Sequence, residues 1–496
     1  MRRSGPNLLR WVSIGMLLAA VVLFFVELVL YSRQRATMPE GLSVAGVPVG
    51  TLDQPAALER LAQTYSTPVE LFYGDQLILL NPSQIGFRLD TEAMMAAAEL
   101  DRTGPGFWSG FWDYLWNRPG RPTNVPIRSE YSESELETFL KDVGARYDQP
   151  PLPPRPVPGT TQFEPGSSGK VLDVARASEL IGGALNQPSN RQVTLPVVDS
   201  QPGRPGLATL GTLLKQILQV QQFNGLADIY VMDLRSGEDL HVLSLNGQDL
   251  PGQPDVAITA GSTIKVPIAV SFYRYFDPPL SSEAEGWLKD MLTLSGNDSA
   301  DALMEQMDRF QGPLKVTDTM QALGLDSTFI AGYFRLGSQL LKRYQTPGNS
   351  RSDINTHPDP YNQTTATQMG TLMVDLYRCS KGGGALMAAF PGEITPAECQ
   401  AILDLMVQDK IGVLIEAGVP DGTEVAHKHG WTDSPLQWLG DAGIVYTSAG
   451  DYVIAVYLWD QQEMIWNPAS ELVADLSRAT YNFFNSSTAP GVTAQR

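Results

Sequence analysis

The stretch VSIGMLLAAVVLFFVELVLY, Val12–Tyr31, constrains this chain more than any other segment. It is twenty residues long and carries one charge, Glu27. Twenty helical residues span about 30 Å, the thickness of one hydrocarbon core. A cleaved signal peptide has a shorter apolar region and a small-x-small cleavage site, and the following SRQRATM has none. The run reads as an uncleaved transmembrane anchor over 12–31. Arg2, Arg3 and Arg10 precede it, and Arg33 and Arg35 follow. This small bias favours residues 1–11 as a cytoplasmic tail and a single-pass protein of the cell membrane, with the rest of the chain extracytoplasmic.

At 496 residues the chain is too long for one core. Its net charge of −19 argues against a nucleic-acid partner, because backbone phosphates demand a basic surface. Two cysteines and four histidines form neither C-x-x-C nor H-E-x-x-H, so no metal or cofactor is expected. Outside the membrane a disulfide is open to Cys379 and Cys399, which bracket a Gly-rich turn and PGEITPAE. Two unpaired thiols are the alternative.

The region 40–198 is rich in Pro and Gly and holds strand-like runs such as VELFYGDQLILL. It carries a weak internal repeat. Leu89-Asp90 and Leu172-Asp173 each precede a helical pattern, with the Asp near an N-cap position. A smaller α+β domain of two repeats is expected. GLSVAGVPVGTLDQPAALERL and FEPGSSGKVLDVARASELI resemble the peptidoglycan-binding domain found beside L,D-transpeptidases and in VanW-type proteins. A stalk that only lifts the next domain off the membrane is the other reading.

Residues 199–206, DSQPGRPG from Asp199, form a linker by their turn chemistry. The second domain, 207–485, opens with an amphipathic helix, TLGTLLKQILQVQQ, and a hairpin, ADIYVMDLRSGEDLHVLSLNG. It closes with a second hairpin and a helix, NPASELVADLSRATYNFF. Strands at both ends predict an antiparallel sheet flanked by terminal helices, with a helical domain inserted between them.

That insertion and its borders carry three motifs in order: Ser262-Thr263-Ile264-Lys265, Ser295-Gly296-Asn297 and Lys428-His429-Gly430. Each is short, and alone each has a mundane reading as a helix cap or a surface lysine. Their order and flanks match the S-x-x-K, S-D-N and K-T-G set. Over about 207–485 the chain resembles the penicillin-recognising serine hydrolases, and within them the class A β-lactamase-like family.

The resemblance implies a nucleophile, Ser262, with Lys265 as its base. Ser295 and Lys428 would carry a proton to the leaving nitrogen. Asn297, Lys428, His429 and Gly430 would bind substrate, and the N–H groups of Ser262 and Trp431 would form an oxyanion hole. Two departures stand out. His429 replaces the usual Thr or Ser. The loop glutamate that drives water onto the acyl-enzyme is missing, since no Glu occurs from Gln306 to Gly392. Asp353 and Asp359 are the nearby acids. The expected function is a β-lactamase-like hydrolase with slow deacylation. A penicillin-binding-protein-like D-Ala peptidase or transpeptidase acting on peptidoglycan, and a non-catalytic cell-wall binding protein, are the alternatives.

Overall fold

The computed structural model describes residues 8–104, 106–118 and 121–486. Arg2, Arg3 and most of the 1–11 segment lie outside them. Contacts divide the chain into two compact units. One runs to Pro151 and resumes at Ser168–Gln201; the other holds Leu152–Ser167 and everything described from Pro202 onward.

In the first unit, α1 spans Leu8–Gln34. It is the described helix long and apolar enough to cross a membrane, at about 40 Å for its length. A short aromatic helix, α2 (Phe107–Leu115), packs beside its C-terminal half. Phe111 meets Phe24 with ring centroids 5.3 Å apart, and Tyr31 touches Phe107 and Tyr114. The Tyr114 hydroxyl donates to the lone carboxylate of the run, Glu27, at 3.0 Å. Gly110 makes this approach possible, because a Cβ there would lie 2.2 Å from the Tyr31 hydroxyl. Trp108, Trp112 and Trp116 remain exposed.

The repeat read from the two Leu-Asp pairs appears as two N-caps. Asp90 accepts from the Ala93 N–H and Asp173 from the Arg176 N–H, each at 3.0 Å. These bonds satisfy orphan donors of the helices Thr91–Thr103 and Val174–Leu185.

The second unit is α+β, as the patterning predicts. After α3 (Leu207–Val220) come β1 (Leu226–Asp233), β2 (Asp239–Leu245), β3 (Gln248–Asp249) and β4 (Ile258–Thr259). The helical insertion begins with α4 (Lys265–Tyr275), α5 (Ser282–Thr293), α6 (Asn297–Met307) and α7 (Gly312–Ala322). It continues through β5 (Phe329–Ile330), β6 (Asn362–Thr364), α8 (Ala366–Ser380) and α9 (Pro396–Met406). The chain closes with β7 (Val425–Trp431), β8 (Trp438–Val445), β9 (Tyr452–Trp459) and α10 (Trp466–Asn485).

A six-stranded antiparallel sheet runs β3-β2-β1-β9-β8-β7, so β7 is an edge strand. Alternation sorts its side chains. Ile229, Val231, Ile454 and Val456 join the core under α3 and α10. Tyr230, Val453, Ala455 and Tyr457 face the larger core with α8 and α4. Gly370 lets α8 lie flat on the sheet, since a Cβ would sit 2.2 Å from the Tyr230 ring.

A disulfide joins Cys379, near the end of α8, to Cys399 in α9, closing a loop of sequence separation 20. A loop of that length constrains the unfolded chain by about 3 kcal/mol. Replacing both cysteines with alanine should lower the unfolding free energy of the second unit by about that amount in urea titrations. An unchanged midpoint would show that the loop is already ordered in the unfolded chain.

Candidate active site

Residues Gly261–Ile264 form a 3₁₀ turn that leads directly into α4. Gly261 adopts φ +52°, and a Cβ there would meet the Trp438 ring at 2.1 Å. Its N–H donates to the Asn362 side-chain oxygen at 2.7 Å. Thr263 holds the turn from inside, donating to the Ala260 carbonyl at 2.8 Å and accepting from the buried Tyr457 hydroxyl at 2.9 Å. The turn thus hangs between the sheet and the β6 segment, with Ser262 partly exposed at its tip.

Lys265 is fully buried. Its Nζ lies 3.0 Å from Ser262 Oγ, 3.1 Å from Ser295 Oγ and 2.8 Å from Asn297 Oδ1, and it also reaches the Ser295 carbonyl. The Phe334 ring centroid is 5.1 Å away. Burial, and then repulsion from Lys428, bring its pKa down to about 7, against the opposing pull of Asp290 and Asp301. An amine poised there can be neutral at working pH and accept a proton from Ser262.

Ser295 has φ +60°, a left-handed backbone that a non-glycine residue adopts at a cost. That conformation aims both its hydroxyl and its carbonyl at Lys265. The next residue is a glycine packed against Asp290: a Cβ at Gly296 would fall 1.7 Å from Asp290 Oδ2, so a larger residue would require that carboxylate to move. Asp290 is itself held by the Ser299 hydroxyl at 2.6 Å.

Lys428 is also fully buried, on the edge strand β7. Burial lowers its pKa, and the Asp409 and Asp441 carboxylates oppose that shift. Gly430 brings this edge against the serine, since a Cβ would sit 2.8 Å from the Ser262 nitrogen. His429 is buried, with Nδ1 3.3 Å from Asp409 Oδ2 and its ring stacked on Trp431 at 5.0 Å. The geometry therefore gathers Ser262, Lys265, Ser295 and Asn297 through direct contacts and sets Gly430 beside them. The His429 ring is engaged by Asp409 and Trp431.

The two nearby acids differ. Asp353 is gripped by Arg351 through two hydrogen bonds of 2.9 and 2.5 Å, and that pairing lowers its pKa. Asp359 is half-buried and its pKa is raised by burial. Its backbone N–H donates to the Thr259 hydroxyl at 2.8 Å, and Oδ1 accepts from the Tyr361 N–H at 2.8 Å. The residue this segment places on the serine turn is Asn362, which no motif singled out. Asp409 was also invisible, since nothing local marks it as a neighbour of β7.

This unit has a β-lactamase-type α+β fold. Residues 274–484 match the Beta-lactamase enzyme family, a span that takes in Ser295, Asn297 and Lys428 and starts after Lys265. No curated protein matches the chain. Among solved structures it is similar to PBP-A, at 23% identity over 58% of this chain and 99% of that one, with TM-score 0.41. A β-lactamase from Desulfarculus baarsii DSM 2075 is similar at 18% identity, covering 56% of this chain and 98% of that one, with TM-score 0.41. For a class A β-lactamase from Mycobacterium abscessus the values are 16%, 55%, 99% and 0.40.

Glycine tolerates φ > 0, so Ser295→Gly should raise thermal stability, by roughly 1 kcal/mol. Acylation by a labelled penicillin should fall at the same time, by about 10²-fold or more. Loss of stability together with activity would mean that the Ser295 hydroxyl holds the fold as well as the chemistry.

Proposed function

We propose that this chain is a membrane-tethered, extracytoplasmic active-site serine hydrolase, acylated at Ser262 by β-lactams or related amides and slow to release the acyl group. The contact that carries the reading is Lys265 Nζ, buried and 3.0 Å from Ser262 Oγ. Neutral Lys265 takes the Ser262 proton as Oγ attacks the amide carbonyl. The developing oxyanion points at the N–H groups of Ser262 and Trp431. The C–N bond then breaks, and the nitrogen leaves with a proton passed through Ser295 and Lys428. The Asn297 amide and the Lys428 charge orient the substrate's side chain and carboxylate, with His429 and Gly430 lining the strand beside them.

The length of α1 supports the tether, and so do the exposed tryptophans of α2 near its outer end, the residue type enriched at bilayer interfaces. The 40–198 region would hold the site above the membrane, near peptidoglycan.

Deacylation needs a base for water. Asp353 is paired with Arg351, Asp359 commits Oδ1 to the Tyr361 N–H, and the residue in contact with the serine turn itself is Asn362. Intact-mass spectra after a penicillin pulse should show one adduct on the wild type that persists for an hour. A barrier higher by about 4 kcal/mol slows a step roughly a thousandfold. Ser262→Ala should show no adduct, and Lys265→Ala should acylate about 10²–10⁴ times more slowly. Equal labelling of Ser262→Ala would overturn the assignment, and an adduct lost within seconds would overturn the slow release.

The acylation rate should also follow the Lys265 titration. The active form is the free amine, so the rate should climb as pH rises through about 7 and then level off. Below that it should drop about tenfold per pH unit. A rate that falls with rising pH would identify the ammonium as the active form.

A further inference from the structure

Three buried ligand atoms converge behind the edge strand. His427 and His429 stand two apart on β7, so their rings share a face. Asp409, in the loop after α9, faces both. One ligand atom from each of His427, His429 and Asp409 lies within 4.8 Å of the others, and His427 Nε2, His429 Nδ1 and Asp409 Oδ2 are buried. The side chains are 1%, 2% and 2% exposed. None of these atoms has a hydrogen-bond partner. The 3.3 Å approach of His429 Nδ1 to Asp409 Oδ2 is an ion-pair distance without hydrogen-bond geometry. Unsatisfied buried polar atoms are rare and costly, and three aimed at one point call for a common partner.

Each ligand is oriented by its other polar atom. His427 Nδ1 lies 2.9 Å from Asp441 Oδ2, so a neutral ring that donates its Nδ1–H there would present its lone pair on Nε2. Asp441 is fully buried and anchored in turn by the Ile415 N–H at 3.1 Å. Asp409 Oδ1 accepts from the Ile411 N–H at 3.0 Å, which leaves Oδ2 for the cluster. Glu416, half-exposed, brings Oε2 to 3.4 Å from His427 Nε2 and is a fourth candidate ligand. Ligand atoms around tetrahedral zinc, bonded at about 2.0–2.2 Å, stand about 3.3–3.5 Å apart. The His429–Asp409 and His427–Glu416 spacings fall in that range. Charge agrees as well: with neutral imidazoles, Asp409 and the two His427 neighbours, Asp441 and Glu416, carry three negative charges against the one ammonium of Lys428, 3.9 Å from Asp409, which leaves two for one dication.

We propose that His427, His429 and Asp409, with Glu416 at the open side, bind a divalent transition ion of the Zn²⁺ type. The ion would pin β7 to the loops at Asp409 and Glu416, directly behind Lys428. It would also give His429 a use at the position where a hydroxyl residue is usual.

The test uses the full-length chain in detergent, stripped with a chelator and dialysed against buffered free Zn²⁺. Elemental analysis should count one Zn²⁺ per chain, and Zn²⁺ should raise the wild-type unfolding temperature. Co²⁺ should give the visible absorption of a four-coordinate ion. Asp409→Asn and His429→Thr should each weaken binding at least about 100-fold, and Asp441→Asn by roughly 10–100-fold. Near-UV circular dichroism checks that the variants are folded, and the wild-type measurements stand without them. A wild type that retains no stoichiometric metal, or variants that bind like the wild type, would overturn the site. Either result would identify the cluster as an imidazolium–carboxylate network, its space filled by a proton.

Discussion

Taking an ammonium out of water is expensive, and this domain does it at Lys265. The amine sits on a helix buried on nearly every side, inside the largest core of the unit. An isolated charge there would be prohibitive, so burial favours the neutral amine. Four oxygens from two other segments then define where the nitrogen rests. The left-handed Ser295 and the start of α6 at Asn297 supply three of those oxygens. Asp301 extends the same network: it accepts from the Phe334 and Arg335 N–H groups and so sets the Phe334 ring over the amine.

The second constraint is how closely β7 approaches the serine turn. An edge strand leaves alternate backbone groups unpaired, normally a liability. Here the 3₁₀ turn covers that edge, and three glycines permit the contact. Gly261 clears the Trp438 ring, Gly430 clears the Ser262 nitrogen, and Gly440 clears the Tyr457 ring. Tyr457 in turn reaches Thr263. One hydroxyl on the central strand β9 therefore ties the sheet to the turn that carries Ser262.

Much of this was legible in the sequence because it is local or periodic. The continuous apolar run YVIAVYLW is that of a strand buried on both faces, and β9 is such a strand. Asp90 and Asp173 announce their helices through a bond three residues away. S-x-x-K is legible because one helical turn fixes the distance between its residues. What escaped is what the tertiary fold alone brings together. Asn362 meets Gly261 across 101 positions. Asp409 meets His429 from a loop with no motif, although the H-K-H spacing was a signal that two imidazoles share a face. The backbone of Ser295 is set by Asp290 and Lys265 together, and no propensity encodes it.

In the proposed cycle, the segment that braces the Ser262 turn bears on the two halves of hydrolysis differently. Acylation needs a base on the serine's own helix, and burial of Lys265 provides it without help from the loop. Hydrolysis needs a base for water, and the side chain that this segment sets against the serine turn is Asn362. That side chain spends its oxygen on the Gly261 N–H. What remains is an amide NH₂, which can hold a water but cannot take its proton. A carboxylate in the same place would accept from Gly261 and still have a second oxygen for the water. In the proposed cycle the second step turns on the group that braces the nucleophile's turn, and an amide there keeps the brace without supplying a base.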